Sequence, residues 1–171
     1  MTLDEILLEE KSGPFIYALL DFATDPDSGG MIPEDILTAP PLIKAAIHLH
    51  AFRLDTGNSG IWKWFEQSYD TYPTFAHFLR EIKADRAAKY IEAGEALFPN
   101  GRVLENPDER FDFCDEHGRE FLKVDLQFEK APDEAILKFR DYVIAHKKSF
   151  QQDAEAYWNI RKENKRLRRK K

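Results

Sequence analysis

Apolar residues in this chain recur every three or four positions almost from end to end, and no alternating pattern lasts long enough to suggest a strand. That period matches the 3.6-residue turn of an α-helix and not the two-residue repeat of a pleated strand. The expected fold is therefore all-α, a single-domain bundle of about seven to nine short helices. Residues 1–160 make up that domain in this reading, and residues 161–171 a basic tail, either disordered or a frayed helix end.

Proline and glycine set the expected boundaries. Pro14 suits a first helical turn after Ser12 and leads Phe15, Ala18, Leu19 and Phe22 onto one face, until Asp25-Pro26-Asp27-Ser28-Gly29-Gly30 stops the helix. A second helix starts near Pro40-Pro41, turns Ile43, Ala46, Ile47 and His50 or Leu54 inward, and ends at Gly57. Ser59-Gly60 then opens a segment from Ile61 to Tyr69, Pro73 begins a helix carrying Phe75, Phe78, Leu79 and Ile82, and another runs over 84–98. Further helical patterns cover 108–116, 120–128 and 133–146, and a last one from Ser149 through Trp158 dissolves into the tail.

A chain of 171 residues with 43% hydrophobic content and 13 Phe, 6 Tyr and 3 Trp can bury a substantial core. The single cysteine, Cys114, allows no intramolecular disulfide and suits a reducing compartment, so a cytoplasmic location is expected. The N-terminal segment is acidic without a basic flank, and no apolar run reaches the roughly 18 residues of a membrane span. Neither secretion nor a membrane partner is expected.

The formal charge of -6 conceals an asymmetry. Residues 161–171 hold eight bases and one acid, Glu163, which leaves 17 bases and 30 acids, a net charge of -13, on the first 160 residues. Acid sits in two blocks, with nine acids against Lys11 in residues 1–35 and nine against three bases in residues 105–129.

Within the second block, Glu105, Asp108, Glu109, Asp112, Asp115 and Glu116 stand at helical spacings that place them within about 120° of one surface. Leu104, Phe111 and Cys114 face the other way in this reading, while Glu120 and Asp125 extend the acidic surface beyond Gly118. A continuous helix there carries one charge per ~3.3 Å of axis, close to the ~3.4 Å phosphate spacing of one strand of duplex DNA. The row is a candidate contact for a basic, DNA-binding partner, and equally a solvated face that maintains solubility.

Other chemistry has little support. His48 and His50 diverge on a helix, and Cys114 with His117 makes a pair with no second pair nearby, so no closed zinc site is expected and no cofactor is assigned. Cys114 lacks any local signature of a nucleophile, and the many carboxylates single out no acid–base couple. No enzyme is expected. The tail could contact nucleic acid, which the acidic body disfavours elsewhere, or an anionic membrane surface, serve as a disordered solubilising end, or fold back on that body.

The segment Leu54 to Ser68 joins a polar turn to an aromatic-rich helix start. Asn58, Ser59 and Gly60 suit a tight turn, and Trp62, Trp64 and Phe65 cannot all share one face at 100° per residue, so most pack in the core and at least one stays partly exposed. This turn and helix start resemble the Asn-Gly-Gly-Phe turn and Gln-Phe-Phe-like helix start of the DNA-mimic-protein family, with Ser59, Ile61 and Lys63 departing from the usual Gly, Phe and Gln. The resemblance spans about Ala39 to Phe150, through Ala96-Leu97-Phe98-Pro99, Leu122 to Phe128 with Asp125 and Phe128, and Phe139, Tyr142, His146 and Phe150. It implies a small acidic helical protein that occupies the DNA-binding face of another protein, with carboxylates in place of phosphates. A second implied role is an immunity or antitoxin-like protein that blocks a toxin enzyme. The sequence specifies no oligomeric state.

Overall fold

Thr2 begins the chain's first helix by closing a capping box with Glu5: its hydroxyl accepts from the Glu5 N–H at 3.3 Å, and the Glu5 carboxylate accepts from the Thr2 N–H at 2.7 Å. Ten α-helices occur among the residues described by this computed structural model, which are 1–24, 37–71 and 74–168. In chain order they are α1 (Leu3–Leu7), α2 (Ser12–Thr24), α3 (Pro41–Asn58), α4 (Ile61–Gln67), α5 (Phe75–Glu81), α6 (Asp85–Glu95), α7 (Pro107–Glu116), α8 (Gly118–Phe128), α9 (Ala131–Ala145) and α10 (Lys147–Arg168). Short 3-10 turns occupy Tyr69–Thr71 and Pro99–Gly101, and no strand occurs among the described residues. The fold is all-α.

The helices form two compact units, one of residues 1–47 and 139–171 and the other of residues 48–138. In the first, α10 turns Phe150, Ala154 and Tyr157 inward at helical spacing, and α2 buries Phe15, Ile16, Leu19 and Ala23. Phe22 meets Phe150 and Trp158 at ring separations of 6.5 and 5.8 Å, and the Trp158 indole N–H donates to the Phe22 carbonyl at 3.1 Å. The Leu42 N–H, orphaned in the first turn of α3, donates to Asp153 of α10 at 3.0 Å.

Two aromatic clusters fill the second unit. Trp64 lies 5.3 Å from Phe52 and 5.0 Å from Phe75, while Phe65 lies 5.2 Å from Phe98 and 6.2 Å from Phe121. Such pairs contribute roughly 0.5–1.5 kcal/mol each beyond the area they bury. Both clusters grow from the short helix α4, whose other neighbours include α6, α7 and α8.

Several boundaries differ from expectation. α1 lies in a segment with no expected helix, and α10 does not dissolve after Trp158 but runs to Arg168. Its apolar stripe continues through Arg161, which is buried with its guanidinium 5.8 Å from the centre of the Tyr157 ring. The expected stop at Asp25–Gly30, the expected helix start at Pro73 and the last three bases, 169–171, lie outside the described residues.

Gly94 of α6 shows how closely α4 is packed, because a Cβ there would stand 2.5 Å from Cε2 of Phe65 and 3.3 Å from Cγ1 of Ile61. Both neighbours are fully buried and have no room to yield. Despite the better helix propensity of alanine, Gly94→Ala is expected to lower unfolding stability by about 1–3 kcal/mol through overpacking. Chemical denaturation checks this, and an unchanged or raised midpoint would refute it.

Candidate functional site

The site is built from the turn before α4 outward. Gly60 adopts φ 98°, a left-handed value disfavoured for residues with a Cβ, and the helix that follows has no side-chain cap of its own. The missing acceptor comes from α8, where Asp125 Oδ1 takes the Ile61 N–H at 2.9 Å and the Tyr90 hydroxyl at 2.5 Å. Burial pushes the Asp125 carboxyl above its ordinary range, against the pull of those two donors. Burial likewise raises the Tyr90 phenol, as does its bond to Asp125. Asp125 is thus a helix cap and does not extend the acidic surface as expected.

The same contact accounts for the residue types in the turn. A Cβ on Gly60 would stand 2.2 Å from Asp125 Oδ2, whereas Asn58 and Ser59 are exposed and tolerate side chains. Trp64 and Phe65 are buried, and Trp62 is half-buried with the Lys63 ammonium 5.3 Å from the centre of its ring. A cleft of about 390 Å³ adjoins the turn, bordered by Arg53, Asn58, Asp125, Leu126 and Asp133. The turn leads into α4, which packs against α7 and α8.

α7 carries the acidic row. Pro107 occupies its first turn, and the Asn106 side chain caps it by accepting from the Asp108 and Glu109 N–H groups at 2.9 and 3.3 Å. Asp108, Glu109, Asp112, Asp115 and Glu116 are all exposed on this helix. Glu105 is exposed in the loop before the cap, and Glu120 is exposed on α8, beyond a break at His117 (φ -105°, ψ 21°). The helix thus starts at Pro107, one residue before the expected 108–116 pattern, and Glu105 lies outside it, so the row is not one continuous helix. From Asp108 to Glu116 the charge spacing along the axis is still about 3.0 Å.

The base count sharpens this picture. Residues 48–138 contain 18 acids and 12 bases, and residues 105–129 account for the whole excess with nine acids and three bases. α7's own base, Arg110, points inward at 2% exposure, where its guanidinium donates to both Asp70 oxygens at 2.9 and 2.6 Å and to the Leu104 carbonyl at 3.1 Å. Elsewhere in this unit some acids are ion-paired, as in Arg53–Asp133, Arg86–Glu134 and Lys63–Glu66, while Asp55 and Asp125 are held by neutral donors. None of the seven carboxylates of the row forms an ion pair with a cation among the described residues.

Phe111 was expected to face inward but is 45% exposed. The inner face of α7 is centred on Arg110 and Cys114, and Phe111 falls at the edge of the acidic arc. Phe113 fixes the helix from its other side, stacked 4.9 Å from Phe98 and 4.0 Å from His117. Burial raises the Cys114 thiol to about 11, which leaves little thiolate at neutral pH. His48 is buried against Trp64 and Phe75, and no three potential metal-ligating side chains converge among the described residues.

A family model described as DMP19-like protein, the family of DNA mimic protein 19, matches residues 38–146. The chain belongs to this DNA-mimic family. Neither the curated proteins nor the solved structures contain a significant match to it. The matched region contains the Gly60–Asp125 contact and all of α7. The family is not one of known enzymes.

Two tests follow from this geometry. Asp125→Ala orphans the Ile61 N–H and the Tyr90 hydroxyl and is expected to cost about 2–4 kcal/mol. Gly60→Ala carries both backbone strain and the clash with Asp125, so in a double-mutant cycle its cost shrinks, without vanishing, once Asp125 is alanine. Additive costs would show that the clash is not what requires glycine. For the Arg110 pair, Asp70→Ala strands a buried guanidinium and is expected to cost about 3–5 kcal/mol. Arg110→Met leaves behind an Asp70 that is already 57% exposed, and costs less. Equal losses on urea denaturation would contradict this asymmetry.

Proposed function

We propose that this protein is a non-enzymatic binding module, a DNA mimic whose α7 carboxylates, flanked by Glu105 and Glu120, occupy the DNA-binding face of a basic partner. The observation that carries this reading is the row of unpaired carboxylates on a helix whose base is turned inward. Helix stability alone does not favour that arrangement. Like charges at i,i+4 cost about 0.2–0.5 kcal/mol per pair, and Asp115 and Glu116 oppose the helix dipole at the C-terminal turn, where no base offsets them.

A spacing near that of backbone phosphates lets the row meet basic side chains arranged to hold a DNA strand. Exposed Phe111 beside the row adds an apolar contact of the kind that anchors protein interfaces within a polar rim. Long-range attraction brings the partner in quickly and weakens as salt rises.

The reading is tested by pull-down from the source cell's lysate at low salt, with the full chain and an Asp112→Asn/Asp115→Asn/Glu116→Gln variant as baits. A DNA-binding protein held by the wild type, released by duplex DNA and bound about tenfold more weakly by the variant is the expected outcome. Recovery of a toxin-like enzyme indifferent to DNA would replace this reading with the immunity one.

A further inference from the structure

The search for a second function leads to the end of α10. Its apolar stripe, Phe150, Ala154 and Tyr157, ends at Arg161, and none of residues 162–167 is buried. The backbone nevertheless stays helical to Arg168. Helical spacing places Lys162, Lys165 and Arg166 with Arg161 around one side, and Glu163, Asn164 and Leu167 around the other. Lys162, Lys165 and Arg166 are exposed, and the intrahelical Arg166–Glu163 pair is loose at 3.6 Å. The sequence adds Arg169, Lys170 and Lys171.

We infer that this helical arm is a second binding site, one that takes the phosphate backbone of duplex nucleic acid without reading its sequence. This inference is independent of the role proposed for α7. Several considerations favour nucleic acid over other polyanions. A membrane surface is recognised by a basic helix that also buries an apolar face, and Leu167 is the one large apolar residue from Arg161 to Lys171. A bare α-helix fits the major groove, where flanking phosphates lie within reach of lysine and arginine on one side.

The unit that holds the arm also has 13 acids and 13 bases in its sequence, so it carries none of the chain's net negative charge. Eight of those bases fall in residues 161–171. A duplex approaching the arm therefore meets local positive charge on a unit that is neutral as a whole.

Fluorescence anisotropy of a labelled 20-base-pair DNA duplex tests the proposal, using the full chain and a Lys162→Gln/Lys165→Gln/Arg166→Gln variant whose helicity is verified by circular dichroism. Double-stranded RNA of the same length and vesicles of mixed neutral and anionic lipid are measured in parallel. The expected result is duplex binding at 50 mM salt that falls by about 10²- to 10⁴-fold at 200 mM, for about four to seven phosphate contacts. The triple variant is expected to bind at least tenfold more weakly and to flatten the salt dependence by about 2.7 in log–log slope, three contacts at ~0.9 each. The Asp112→Asn/Asp115→Asn/Glu116→Gln variant retains the wild-type affinity or gains slightly, which separates this proposal from the α7 reading. Unchanged duplex binding in the triple glutamine variant, no binding of either duplex, preference for vesicles, or salt-sensitive self-association in place of duplex binding would each overturn the proposal.

Discussion

The carboxylate of Asp125 is the constraint on which the rest of the candidate site depends. It supplies the N-terminal acceptor for α4, a seven-residue helix too short to be stable by itself, and it occupies the space that a side chain on residue 60 would need. α4 in turn carries Trp64 and Phe65, around which the two aromatic clusters assemble, and it packs directly against α7. A polar contact half-removed from water thus sets the position of a large apolar surface. The contact lies within the family-matched region.

α7 stands on that base with its charges arranged for the exterior. The one cation on the helix is consumed inside the protein by Asp70, through a pairing that also takes up the Leu104 carbonyl. Had Arg110 faced outward, it would have neutralised part of the row and interrupted the run of carboxylates. Turning it inward joins two effects in one residue. The helix is anchored to the Tyr69–Thr71 turn, and its outer face retains acids alone.

Much of this was legible in the sequence. The all-α class followed from apolar spacing, and the helix starts near Pro41 and Asp108, the latter one residue inside the observed start, follow from local chemistry that a linear reading captures, as do the exposed carboxylates. The role of Asp125 was not legible, because its donors lie 64 and 35 residues away, and local spacing marks it only as one more acid. Arg110 and Asp70 are 40 residues apart and escaped notice for the same reason. Phe111 is apolar but does not lie on the buried face. Its position at the edge of the acidic arc, and the placement of Arg110 near the centre of the opposite face, were already present in the helical spacing. α10 runs on past Trp158 because its buried stripe reaches Arg161 and the lysines and arginines beyond it are good helix formers.

Salt acts on α7 in two opposed senses, and that opposition separates what its charges do for the fold from what they do for binding. Within the helix, screening relieves repulsion among Asp108, Glu109, Asp112, Asp115 and Glu116, and between the last two and the helix C-terminus. Toward a basic partner, the same screening removes attraction. Surface charges placed for stability are paired with opposite charges, and salt weakens them, as it would Arg86–Glu134. Charges placed for a partner stay unpaired until it arrives, so salt eases the free protein while it weakens the complex. The α7 carboxylates lack ion pairs and Arg110 is turned inward, so the role proposed for them predicts the second behaviour, opposite in sign to that of a paired surface charge.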